Sequence, residues 1–92
     1  MFIGYFSVDM HIPHSRSLKD KRRVINSIKQ RARNSFNVAV AEAPSDKWQR
    51  ARLGFACIGC DKLRLSDTLD RLEEHVRLYP DILILDSQKQ VL

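Results

Sequence analysis

Several features that mark common protein classes are scarce in this 92-residue chain. No uninterrupted apolar run approaches the roughly 20 residues that a membrane helix needs, so we expect no membrane partner. The first 15 residues alternate between apolar and polar side chains and no small-residue cleavage site follows them, so no signal peptide is expected. Because there are only two cysteines and no export signal, we predict a reducing, cytoplasmic setting.

The sequence patterns that many enzymes need are also missing. With only three glycines, the chain has no Gly-rich phosphate loop. It offers no nucleophile–base pair and no paired carboxylates in a plausible cleft. The sequence therefore predicts a protein without enzymatic activity and without a small-molecule cofactor.

Metal and redox sites are weakly indicated. His11 and His14 have HxxH spacing, but a metal would need further ligands, and His75 lies on a distant element. Cys57 and Cys60 form a single CxxC, whereas a zinc ribbon needs a second pair. Cys57 falls in phase with the apolar residues of a predicted strand, which favours a small buried hydrophobe over a redox cysteine. We predict no metal site.

Acidic residues are nearly absent from one segment. Residues 16–33 hold eight basic side chains and only one acidic side chain, Asp20, whereas acids outnumber bases over residues 61–86. The formal net charge of +5 therefore conceals a positive side and a negative side. Such a field steers the approach of an anionic partner.

Hydrophobic periodicity predicts four strands. Residues 2–12, 37–42 and 50–58 each alternate between apolar and polar side chains, as half-buried strands do. The second and third of these are joined by a short polar loop and predict a hairpin. Residues 82–86 are apolar on both faces and predict the last strand.

Two helices separate these strands. Ser17 and Asp20 form the acidic version of a capping box before a helical apolar repeat that runs to Asn34. A second helix is expected over residues 61–79, closed by Pro80. The order βαββαβ predicts one α+β domain, residues 1–92, with a ferredoxin-like fold: a four-stranded antiparallel sheet with two helices on one face. The other face stays open.

Four segments carry a family resemblance: HIP, SLKDKR, FNVAVAE and WQRARLG. Together they resemble the bacterial YlxP-like family, a group of unknown function and similar length, over nearly the whole chain. The resemblance implies a ferredoxin-like fold and genes that often neighbour those for transcription elongation, translation initiation and ribosome maturation. It implies no activity, and Cys57 and Cys60 depart from the family pattern.

The first helix carries the strongest functional signal. Lys19, Arg22, Asn26, Lys29 and Arg33 form a stripe about 80° wide on a helical wheel, and it contains no acid. Basic side chains on one helix face neutralise successive phosphates, so we predict binding of RNA or the ribosome. A merely solvated face is the alternative. The predicted contact residues are Arg16, Lys19, Arg22, Arg23, Lys29, Arg33 and Arg50.

A homodimeric protein-interaction module is the rival prediction. The open sheet face is rich in small and apolar residues, and Ile3, Tyr5, Ala39 and Trp48 are its candidate interface residues. The face lacks the aromatic platform of an RNA-recognition motif, because Tyr5 is its one aromatic residue. For Trp48 we predict partial burial at the core edge and a mainly structural role, with an interface or base-stacking anchor as the alternative.

Overall fold

The computed structural model describes residues 1–92, and its elements follow the predicted order. They are β1 (Phe2–His11), α1 (Leu18–Ser35), β2 (Ala39–Glu42), β3 (Arg50–Gly59), α2 (Lys62–Arg77) and β4 (Leu83–Val91). The sheet order is β2-β3-β1-β4 and every neighbouring pair is antiparallel. The predicted ferredoxin-like arrangement is therefore confirmed. Most of the predicted bounds differ from these by one or two residues.

The core lies between one face of the sheet and the two helices. Alternate side chains of β1 and β3 enter it, and the rings of Phe6 and Phe55 stack with centroids 5.5 Å apart. Both helices contribute the apolar side of an amphipathic repeat. The fully buried large side chains of the core include Phe6, Met10, Ile12, Ile25, Ile28, Leu53, Phe55, Leu69 and Leu72.

Gly4 marks the point where α2 comes closest to the sheet. A Cβ atom at this position would lie 3.0 Å from the Cys57 sulfur and 3.2 Å from side-chain carbons of Leu65 and Leu69. These contacts are tighter than most Cβ contacts in proteins, so a side chain here would force Cys57 and the two leucines of α2 to move by a few tenths of an ångström. The absent side chain is thus what allows α2 to pack tightly.

Half of the predicted capping box at the start of α1 is confirmed. The Ser17 hydroxyl, at the N-cap, accepts a hydrogen bond from the backbone N–H of Asp20 at 3.0 Å. The Asp20 carboxylate reaches back one residue beyond the N-cap and accepts from the backbone N–H of Arg16 at 3.0 Å. At the start of α2 the Asp61 carboxylate accepts from the backbone N–H of Arg64 at 3.1 Å. The bonds made by Ser17 and Asp61 satisfy amides that the first turn of a helix leaves without a partner.

β4 extends to Val91, so the prediction that it covers residues 82–86 was wrong. The missed half is polar, yet two of its side chains face α2. The Ser87 hydroxyl donates to the Glu73 carboxylate at 2.6 Å, and the Lys89 ammonium contacts Asp70 at 2.8 Å and Glu73 at 3.1 Å. In this half of β4, hydrogen bonds and ion pairs to α2 take the place of apolar contacts. A prediction based on apolar periodicity therefore misses it.

Glu73 should make the stability depend on pH. The pKa of its carboxyl lies below the ordinary value of 4.5, first because Ser87 donates to it and then because the Lys89 ammonium is near. A carboxyl with a lowered pKa stabilises the native state above pH 4.5, and this contribution is lost as the pH falls through the folded-state pKa. We expect Glu73→Gln to lower the free energy of unfolding at neutral pH, and we expect the difference from the parent to shrink on acidification.

Urea denaturation from neutral to acidic pH measures that difference. Glu74→Gln is the matched control, because Glu74 is exposed and forms no ion pair. Its difference from the parent should stay small and constant. A difference for Glu73→Gln that does not change with pH would contradict the assignment.

Lys21 is a lysine buried at the junction of α1 and the β2–β3 loop. Only 2% of its surface is exposed, and the sequence already placed it near the apolar side of the helix. Its ammonium donates to the backbone carbonyls of Ser45, Lys47 and Arg50, at 3.1, 2.7 and 3.2 Å. An ammonium has three donors, so each of them finds an acceptor. The charge therefore fastens the loop to the first turn of α1.

Replacing Lys21 with methionine should weaken the fold substantially. Lys21→Met keeps an apolar stem of similar length but leaves carbonyls of the loop without their donor, at a cost of about 2–4 kcal/mol. Urea denaturation measures this loss. Lys19→Met, an exposed position on the same helix, should change the stability by no more than about 0.5 kcal/mol. Equal stability of the two variants would show that the three hydrogen bonds do not stabilise the protein.

Candidate nucleic-acid interface

Two loops meet at one end of the molecule. Because β1 and β3 are antiparallel, residues 12–17 and 43–49 both lie at the end where β1 stops and β3 starts; we call it the loop end. The two loops are tied together by Gln49. Its carbonyl accepts from the backbone N–H of Ile12 at 2.8 Å, and its side chain donates to the carbonyls of Pro13 and Ser15 at 3.2 and 3.1 Å.

Most of the predicted contact residues are exposed and carry an unpaired charge. Five of the seven predicted contact residues form no ion pair: Arg16, Lys19, Arg22, Arg23 and Arg33. The acid nearest to them in sequence is Asp20, whose carboxylate accepts a hydrogen bond from the backbone N–H of Arg16. Four of the five lie on or next to the first two turns of α1, at the loop end. We call these five residues the basic cluster.

Two other predicted contact residues have acidic partners. Lys29 lies 3.5 Å from the Glu42 carboxylate, and Arg50 lies 3.4 Å from the Asp9 carboxylate. Their charges are therefore partly neutralised within the protein. The Arg31 guanidinium lies over the Tyr79 ring at 5.0 Å. Sequence spacing alone does not distinguish Lys29 and Arg50 from the basic cluster.

The basic cluster is long enough to contact an extended ligand at several points. From Lys19 to Arg33 the helix advances about 21 Å, at 1.5 Å per residue. The Lys29–Glu42 pair shows that this side of α1 faces β2, at the edge of the sheet. A chain of phosphates following this side would contact several cations in turn, and each contact would release a counterion.

Trp48 is more exposed than a plug at the core edge would be. The residue keeps 55% of its surface exposed, in the loop between Lys47 and Gln49. The predicted partial burial is therefore shallow, and the mainly structural role stays a prediction. Polar groups of Lys21 and Gln49 hold the loop in place by bonding to it and to its neighbours. More than half of Trp48 is left open to solvent.

The open sheet face has the expected composition at one end. Ile58, Ile3 and Leu92 are cross-strand neighbours and are 60%, 50% and 66% exposed. In the next row Tyr5 lies between Ala56 and Gln90, and Ala56 is paired with Ala39. Tyr5, Ala39 and Ala56, together with further residues of β2 and β3, line a shallow groove of about 410 Å³. The Tyr5 ring lies close to Gly54. This row and the groove form an apolar surface that includes the predicted Ile3, Tyr5 and Ala39.

Cys57 is buried, as the sequence predicted, and its burial raises the pKa of the thiol. Cys60 is exposed. The His11 ring nitrogen Nδ1 lies 3.1 Å from the carbonyl of Gln49. No three His, Cys, Asp or Glu side chains come together closely enough to hold a metal ion. Neither helix is long and apolar enough to cross a membrane.

Comparisons with known proteins agree with the resemblance. The family model described as "Protein of unknown function (DUF503)" matches residues 3–89. The "Uncharacterized protein YlxP" of Bacillus subtilis (strain 168) is 32% identical over 81 residues, which cover 87% of this chain and 88% of that protein. The chain therefore belongs to the DUF503 family, and the YlxP-like family prediction is confirmed.

Two solved structures resemble the fold. The de novo designed protein Foldit4 matches with a TM-score of 0.52 and 13% identity, over 100% of this chain and 94% of that one. A de novo designed protein described as having a ferredoxin fold matches with a TM-score of 0.49 and 12% identity, over 99% and 85% of the two chains. At such low identity the likeness to Foldit4 concerns the fold alone.

Proposed function

We propose that this member of the DUF503 family is a cytoplasmic RNA-binding protein that acts by binding rather than by catalysis. The basic cluster carries the proposal, because its five cations are exposed and have no acidic partner. RNA supplies closely spaced phosphates as counter-charges. Ribosomal RNA is the first candidate, since the resemblance implies neighbouring genes for translation and ribosome maturation.

The density of unpaired like charges on α1 is what favours a ligand over a solvated face. Lys29, Arg50, Arg77 and Lys89 each have a carboxylate partner. The unpaired cations of α2 share their helix with four acids, whereas α1 holds only Asp20. On α1 like charges lie one turn apart, as with Lys19 and Arg23, which costs rather than gains stability. A polyanion would relieve that repulsion, and the cations would gain the partners that the chain does not supply.

Reversing three charges of the cluster should abolish binding. The variant Lys19→Glu, Arg22→Glu, Arg23→Glu removes three phosphate contacts and repels the remaining backbone. On single-stranded RNA each contact contributes about 0.7 to the slope of log K against log salt, so the parent should show a slope of about −3.5. We expect the variant to bind at least about tenfold more weakly at 0.1 M salt and with a much shallower slope. Filter binding to ribosomal RNA fragments across a salt series measures both.

The second helix offers a matched control. Lys62, Arg64 and Arg71 are exposed and form no ion pair. Changing all three to glutamate alters the net charge equally but leaves α1 intact, so binding should be weakened far less. If both triple variants lost affinity equally, net charge rather than the cluster would govern binding. If the α1 variant bound as well as the parent, the proposal would fail.

We propose, as a second function, that two copies of the chain associate through their open sheet faces. The exposed row Ile58–Ile3–Leu92 favours a dimer, because three large apolar side chains lie next to one another on adjacent strands and are open to solvent. Contiguous apolar surface of this kind is typical of an interface. Both helices lie behind the sheet, so the basic cluster would stay accessible in the dimer.

Charge complementarity favours a second copy as the occupant. Arg52, Asp9 and Asp86 form a cross-strand row on the same face. A twofold axis parallel to β1 would place β3 of one copy over β4 of the other, so Arg52 would meet the partner's Asp86 and Ile58 the partner's Leu92. Residues of β1 would meet their own counterparts: Ile3 would pack on Ile3, and the two Asp9 carboxylates, each paired with Arg50 at 3.4 Å, would face each other. The strands on either side of β1 are thus complementary to each other, as an isologous interface requires.

Placing a charge in the centre of this face should separate the copies. Ala56 is exposed and lies beside Tyr5, so Ala56→Glu would bury a carboxylate in the interface without disturbing the core. We expect light scattering to give a dimer for the parent at micromolar concentration and a monomer for the variant. Ser66→Glu, on the exposed side of α2, should remain dimeric. A parent mass of 10.7 kDa would exclude the dimer.

A further inference from the structure

Trp48 combines exposure with a fixed position. It is the only tryptophan of the chain, and more than half of its surface is open to solvent. The backbone is held on both sides of it: the Lys47 carbonyl accepts from the Lys21 ammonium at 2.7 Å, and the Gln49 carbonyl accepts from the N–H of Ile12 at 2.8 Å. The ring is therefore presented on a rigid loop, and little conformational freedom remains to be lost on binding.

Cations are close in the chain to the groups that hold this position, and the one acid of the loop is Asp46. Lys47 is exposed and precedes the ring in the chain. The side chain of Gln49 bonds to the Ser15 carbonyl, next to Arg16. Lys21, which holds the loop, is followed by Arg22 on α1. The ring thus lies at the loop end, beside the most densely charged part of the basic cluster.

We infer that Trp48 stacks on an unpaired base, so that the RNA bound by this protein is single-stranded at the loop end. The inference rests on the proposed RNA binding and deepens it. Proteins that bind single strands combine cations that follow the backbone with aromatic rings on which bases stack. In a duplex the bases are already stacked inside the helix and present no free face to a side chain.

The surroundings of Trp48 favour a base over a protein partner. Aromatic anchors of protein interfaces lie in an apolar centre enclosed by further contacts. The neighbours of Trp48 in the loop are Ser45, Asp46, Lys47 and Gln49, which are polar and exposed. A base can stack on one exposed ring while its two flanking phosphates contact nearby cations. An apolar protein surface would leave those cations without partners.

Three probes test the inference through the fluorescence of the single tryptophan: oligoadenylate, a blunt RNA duplex of equal length, and inorganic polyphosphate, which has no bases. Oligoadenylate should quench the emission and the duplex should not. Trp48→Ala should weaken oligoadenylate binding by about 5- to 150-fold, the range for losing one stacked base. Polyphosphate affinity should be the same for parent and variant, and Trp48→Phe should retain most of the affinity for oligoadenylate.

The outcomes separate this inference from the proposed function. If none of the probes binds, or if Lys19→Glu, Arg22→Glu, Arg23→Glu leaves binding unchanged, RNA binding by the basic cluster is wrong and the inference falls with it. If oligoadenylate binds with the expected salt dependence but Trp48→Ala binds it equally well, only the stacking inference is overturned. Equal weakening of oligoadenylate and polyphosphate would also overturn it, because polyphosphate cannot stack. Circular dichroism of both Trp48 variants controls for folding.

Discussion

One buried ammonium connects the fold to the candidate site. Lys21 extends from the first turn of α1 into the β2–β3 loop and bonds to three of its carbonyls. A buried charge is costly unless its donors are satisfied, and here backbone carbonyls rather than a carboxylate satisfy them. A carboxylate would have cancelled the charge beside the basic cluster. The carbonyls fasten the loop and leave the net positive charge of this end intact.

Much of the fold could be predicted from the sequence because its core obeys simple periodicities. β3 alternates strictly between buried and exposed residues, β1 does so except at the buried Ser7, and each helix begins at a recognisable cap. The prediction failed for β4, whose helix-facing side chains beyond Asp86 include Ser87 and Lys89. Their partners, Asp70 and Glu73, are more than ten residues away in sequence, and a local pattern carries no information about such pairs.

The candidate site could be predicted only in part, for a similar reason. The wheel placed Lys19, Arg22 and Arg33 on an acid-free stripe, and they are exposed and unpaired. It placed Lys29 there too, but the acid that pairs with Lys29 is Glu42, on another element. The exposure of Trp48 likewise depends on distant polar groups that hold its loop. Composition locates a charged surface, whereas tertiary contacts determine which of its charges are free.

The two proposed binding surfaces lie on opposite layers of the molecule. The helical layer carries the basic cluster, and the open face of the sheet carries exposed apolar residues such as Ile3 and Ile58. In a dimer joined through the sheets, the two helical layers would face outwards in opposite directions. A single RNA strand would then contact one cluster at a time, unless it wrapped around an edge of the sheets. A dimer of this kind suits the bridging of two RNA segments better than tight binding of one.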